Sequence, residues 1–113
     1  MTVHLANITL DCEDPRPVAA FWSQALDIPI DEGASEFFVS LGAGHPGPNW
    51  FFVAVPEGRS VKNRMHIDFE TPDRAAEIER LVALGATKIA DHDEFGHSWT
   101  RMSDPVGNEF CVS

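Results

Sequence analysis

One pattern occurs twice in this chain and narrows its possible folds more than any other feature: an apolar strand, a helix opened by Asp and Pro, then further short strands. In the first copy, residues 3–10 are rich in β-branched and apolar side chains and read as a strand, with Ile8 and Leu10 on one face and Asn7 and Thr9 on the other. Asp14 suits an N-cap and Pro15 the first helical position. Val18, Phe21, Trp22, Ala25 and Leu26 recur at helical spacing, and Pro29 stops the helix. Strands are expected at residues 36–41 and 50–55, on either side of a Gly- and Pro-rich loop, with 28–31 as a poorly marked additional strand.

The second copy follows a basic, polar segment at residues 59–64. A strand is expected at 65–70, and Thr71-Pro72-Asp73 opens a helix with Thr71 or Asp73 as its cap. Ala75, Ile78, Leu81, Val82 and Leu84 form the apolar stripe, and Gly85 stands where a C-cap glycine belongs. Residues 88–90 form a short strand candidate, 91–97 are polar and loop-like, and strands are expected at 98–102 and 108–112 across the Asp104-Pro105-Val106-Gly107 turn.

Each copy is therefore a βαβββ unit whose helix covers one face of its sheet. The expected fold is α+β: two such modules, about 1–58 and 59–113, with curled mixed sheets around a central cavity and the helices outside. A chain of 113 residues fits one domain built from the two modules.

Composition excludes several classes of partner. The formal net charge of −10 argues against nucleic acid and against an anionic membrane surface, both of which attract basic faces. No apolar run approaches the ~20 residues of a membrane span. Residues 1–10 lack a basic region followed by an apolar run, so no signal peptide is expected and a cytoplasmic location is. Cys12 and Cys111 form no Cys-x-x-Cys pair and are expected to be free thiols. The chain carries no Gly-x-Gly-x-x-Gly, no P-loop and no Gly-x-Ser-x-Gly elbow.

Several segments together carry a resemblance. They are the first strand with its Asp-Pro step and Phe21-Trp22, the run Asn63-Arg64-Met65-His66-Ile67-Asp68, and the stretches 75–81 and 83–86. Asp104-Pro105-Val106-Gly107-Asn108-Glu109-Phe110 closes the series. In order and spacing they resemble the vicinal-oxygen-chelate superfamily of glyoxalases, bleomycin resistance proteins and dioxygenases, and within it the short glyoxalase-like domains. The resemblance implies a site for a divalent metal (Zn, Ni, Fe or Mn), held by a His from the first strand and a Glu from the last strand of each module. It also implies a homodimer. Carried onto this chain, the His positions fall at Asn7 and His66, one Glu position falls at Cys111, four residues after Gly107, and the other falls in the apolar strand at 50–55. His66 alone matches, so no metal is favoured, and His66 is the one candidate ligand if a metal binds.

The candidate ligand-binding residues are Asn7, Thr9, Trp50, Phe52, His66, Asp68, Trp99, Arg101 and Cys111. Alternation puts Asp68 on the face of His66, which makes a polar pocket one reading and a satisfied core histidine the other. Trp50, Phe51 and Phe52 cannot all share a face, so core and pocket divide them. Arg101, on the face of Trp99, binds an anionic group or lies at an exposed edge. Cys111 is a ligand replacement or a small apolar filler, and Cys12 is packing. His92 and His97 flank Asp91, Asp93 and Glu94 at no standard metal spacing, as in a solvated loop.

With Phe at 8 and Trp at 3, the leading expectation is a small organic molecule bound in an aromatic cavity without the usual metal. The resemblance supplies two alternatives. One is a metal-dependent lyase, isomerase or dioxygenase using His66; the other is a drug-sequestering resistance protein. A scaffold that pairs with another protein is the reading that needs no pocket.

Overall fold

A computed structural model describes residues 5–61, 63 and 65–113. Val3 and His4 of the expected first strand, and Lys62 and Arg64 of the basic segment, lie outside the described residues. The chain divides into two compact units, one ending at Gly58 and one running from Arg59 to Ser113.

The first unit contains β1 (Asn7–Cys12), α1 (Pro15–Leu26), β2 (Phe38–Leu41) and β3 (Asn49–Ala54). The sheet order is β1-β3-β2, with β1 parallel and β2 antiparallel to β3. The Asp14 carboxylate accepts the Arg16 amide and so satisfies one free donor of the first helical turn. At the other end Asp27 turns left-handed (φ 54°), and its amide and that of Ile28 donate to the Ser23 carbonyl, so the helix stops two residues before Pro29.

Strand alternation gives this sheet one packed face. Leu10, Cys12, Val39, Leu41, Trp50 and Phe52 are buried on the side where α1 presses Val18, Phe21 and Trp22. Trp22 stacks on Trp50 with ring centres 5.5 Å apart. Trp50 and Phe52 are therefore core residues, which corrects their placement in a pocket. The register pairs them with Ile8 and Leu10, whose side chains point at the helix. Phe51, between them, takes the open face and meets Phe38 edge to face at 5.1 Å. The expected strand at 28–31 shrinks to one bridge, Ile30 to Leu41. Pro29 has no amide to donate, so a ladder cannot run through it.

The second unit contains β4 (Ile67–Phe69), α2 (Arg74–Leu84), β5 (Thr87–Glu94), β6 (His97–Ser103) and β7 (Glu109–Val112), with sheet order β4-β7-β6-β5. β4 runs parallel to β7, and the other pairs are antiparallel. Asp73 caps α2 by accepting the Ala76 amide, and Gly85 closes it at φ 122°, its amide donating to the Leu81 and Val82 carbonyls. Of the expected apolar stripe only Leu81 is buried; Ala75 and Val82 are exposed.

The polar segment at 91–97 is not a loop. Asp91 to Glu94 extend β5, and Phe95 and Gly96, both at positive φ (53° and 77°), turn the chain directly into β6. That is the geometry of a type I′ hairpin. Thr100 contributes to the pairing by donating its hydroxyl to Asp91 at 2.7 Å. The architecture is thus α+β, two helices with mixed sheets of three and four strands. Among the described residues no helix is long and apolar enough to cross a membrane.

Candidate functional site

The register of the second sheet sorts its side chains into two sets. Asp68, Cys111, Arg101 and Ala90 lie side by side across β4, β7, β6 and β5. Steps of two add Glu109 on β7, Trp99 on β6, and His92 and Glu94 on β5 to the same face. In the opposite set Met102, Phe110, Val112 and Thr100 are buried, while Asp91, Asp93 and Ser98 are exposed toward the hairpin end. The first face gathers the histidine, cysteine and arginine side chains of this unit's strands, and the other is core away from the hairpin end.

The polar face holds a depression of about 560 Å³, lined by His66, Asp68, Glu94, Trp99 and Cys111 among others. The hairpin tip contributes Phe95 and His97, and the strand ends Glu70 and Ser113. Trp99 is half-buried, with its indole stacked on the His92 ring at 5.2 Å and 16° between planes. His66 Nε2 lies 3.2 Å from the Asn63 carbonyl. A carbonyl oxygen only accepts, so Nε2 is the donor in this contact.

Cys111 is buried beside Asp68 and Arg101. Burial pushes its thiol pKa up, and the Asp68 carboxylate pushes it further, against a smaller opposing pull from Arg101. The raised pKa favours the thiol over the thiolate, which makes the sulfur a poorer nucleophile.

Beyond Cys111 the same face carries a charge cluster. The Glu109 side chain, 7% exposed, lies 3.5 Å from Arg59 Nη2 and 3.4 Å from Arg101 Nη1. Arg59 also donates through Nε to the Gly107 carbonyl and through Nη1 to the Val61 carbonyl, which fastens the start of the unit to the β6–β7 turn. Arg101 is thus neither at an exposed edge nor without a partner.

The structure brings His66, Asp68, Trp99 and Cys111 into one depression, with Arg101 on the same face. Asn7 and Thr9 are exposed on the open face of the first sheet, beside Asn49 and Phe51 of β3. Cys12 is packed, its thiol donating to the Val53 carbonyl at 3.7 Å. Sequence reasoning leaves Glu94 and His97 in a solvated loop and passes over Phe95, because the segment is polar. The cue was present: Phe95-Gly96 separates two runs that can pair, a two-residue turn ending in glycine. Glu109 escaped because Arg59, one of its two partners, is distant in sequence.

At the family's metal-ligand positions His66 alone keeps the usual residue type. Among the described residues no three His, Cys, Asp or Glu side chains converge to hold an ion. Of the family's ligand positions, Asn7 offers a neutral amide, Cys111 a thiol in place of a carboxylate, and the open face of β3 presents Asn49, Phe51 and Val53 without a carboxylate.

Comparison with known proteins gives the same fold. A family model described as a glyoxalase-like domain matches residues 7–113. No curated protein matches the chain. Among solved structures, a glyoxalase/bleomycin resistance protein/dioxygenase family enzyme from Burkholderia phytofirmans PsJN is 21% identical, with a TM-score of 0.76 over 97% of each chain. A fosfomycin resistance protein from Listeria monocytogenes, complexed with Mn(II) and a dihydroxypropylphosphonic acid, is 16% identical, with a TM-score of 0.81 over 99% of this chain and 90% of that one. A bleomycin-binding protein from Streptomyces verticillus, complexed with copper(II)-bleomycin, is 16% identical, with a TM-score of 0.67 over 100% of this chain and 97% of that one.

Proposed function

The chain belongs to the glyoxalase-like domain family, and we propose that it binds a small organic molecule on the polar face of its second sheet without a divalent metal. The observation that carries this reading is the depression of about 560 Å³, which combines the half-buried Trp99 with several polar groups. Ligand pockets commonly span ~300–1,000 Å³ and pair aromatic surface with a few placed polar atoms, as here. The solved relatives that hold bleomycin or a phosphonic acid support small-molecule binding as the use of this fold. Among the described residues the donor set does not close on an ion, and the family's carboxylate ligands are replaced, which favours binding over metal-assisted catalysis.

Metal analysis of the purified protein, paired with a thermal-shift screen of small molecules and divalent ions, tests the proposal. Organic ligands should raise Tm with no added metal; a ligand at 100 times its Kd adds about 2.7 kcal/mol of stability. Stoichiometric Zn, Ni, Fe or Mn that disappears in His66→Ala would overturn the metal-free reading and favour a metal-dependent lyase or dioxygenase.

A further inference from the structure

The depression and the charge cluster beside it divide the charges of one sheet face. Among the described residues Asp68, Glu70 and Glu94 line the depression, and no described lysine or arginine does. Among the described residues none of these carboxylates makes an ion pair. The guanidiniums of the same face, Arg59 and Arg101, both turn to Glu109 instead. The described lining is thus anionic, and Trp99 and Phe95 give it aromatic walls.

We infer that the ligand is a small organic cation: a protonated or quaternary amine carried on an apolar or aromatic body. This deepens the reading of the depression as a small-molecule site and rests on it. Three carboxylates around one hollow repel each other and any anion that enters, whereas a cation relieves that repulsion. An indole face attracts an ammonium group through its quadrupole, and it also buries the apolar body. The net charge of −10 adds a long-range field that concentrates cations near the surface. A bare divalent ion is a poorer occupant, because the described carboxylates do not converge on a point.

Calorimetric titration of the full chain with benzylammonium, benzyl alcohol and benzoate separates charge from shape. Benzylammonium should bind at least about tenfold more tightly than benzyl alcohol, with benzoate the weakest, and added salt should weaken the amine alone. Asp68→Asn combined with Glu94→Gln, both at exposed positions, should leave Tm near that of the parent and reduce amine affinity by about tenfold or more, a larger loss than for benzyl alcohol. Equal or tighter binding of benzoate would overturn the inference, as would unchanged amine affinity in the double variant. If benzyl alcohol and benzoate bind and the amine does not, small-molecule binding stands and the cation assignment falls. If none of the three binds, the cation assignment falls, and the wider ligand screen decides the pocket by itself.

Discussion

In the first unit α1 presses Val18, Phe21 and Trp22 onto a three-stranded sheet, and Trp22 lies flat on Trp50. In the second unit α2 buries Leu81 alone among its residues and leaves Val82 exposed, against a sheet of four strands. The two sheets share a way of joining strands: the first strand of each runs parallel to the last, which also pairs antiparallel with another. They differ in load. The first unit concentrates its apolar volume between helix and sheet. The second is held to a greater degree by hairpin ladders and by polar pairings, such as Thr100 with Asp91 and Glu109 with its two arginines. The comparison teaches that one topological plan can be biased toward packing or toward surface chemistry by its side chains alone.

The largest expected effect probes the packed unit. Phe52→Ala should cost about 3–5 kcal/mol in urea denaturation, because the ring is fully buried and its removal leaves a cavity. Val82→Ala on the second helix should stay within about 0.5 kcal/mol. Comparable losses at the two positions would break the contrast.

An intermediate effect belongs to the charge cluster. Glu109→Gln should cost about 1–3 kcal/mol, since two half-buried guanidiniums lose the carboxylate they share. An unchanged denaturation midpoint would show that these pairs, like many at surfaces, contribute nothing measurable.

The smallest effect lies at Cys111, where burial and then the Asp68 charge raise the thiol pKa. The folded chain holds this proton in a range where the unfolded chain has lost it. The resulting stability is fully present below the ordinary thiol range and is lost as pH rises through the raised value. Alkylation by iodoacetamide, followed at Cys111 by mass spectrometry, should have its pH midpoint above that of a free cysteine. Asp68→Asn should lower that midpoint. A midpoint at or below the free-cysteine value would remove the ground for treating the sulfur as a protonated thiol.

What the sequence disclosed follows from where the determining interactions lie. Asp14, Asp73 and Gly85 were readable as caps because a cap is satisfied within one helical turn. The family resemblance is what places ligand positions at His66 and Cys111, the second with a replaced residue type. The strand at Asp91 to Glu94 was not, because charged residues have little preference for a sheet and are held there by the β6 ladder. In Trp50-Phe51-Phe52 alternation divides the residues, but three aromatics in a row do not say which side faces the helix. Glu109 stays silent in sequence because its role appears only when Arg59, from the opening segment of the unit, folds onto the β6–β7 turn.

That turn begins at Asp104, a buried carboxylate that accepts the amides of Val106 and Asn108 and the Asn108 side-chain amide. A strand has parity, with odd and even positions facing opposite ways. By fixing the number of residues between β6 and β7, Asp104 sets the parity of everything after it. Insertion or loss of one residue there would trade Cys111 and Glu109 for Phe110 and Val112, turning the depression oily and burying charge beneath it. The ligand chemistry of this sheet is therefore held in frame by a side chain outside the lining of the depression, and loop-length changes at this turn should be far less tolerated than at the Phe95-Gly96 tip.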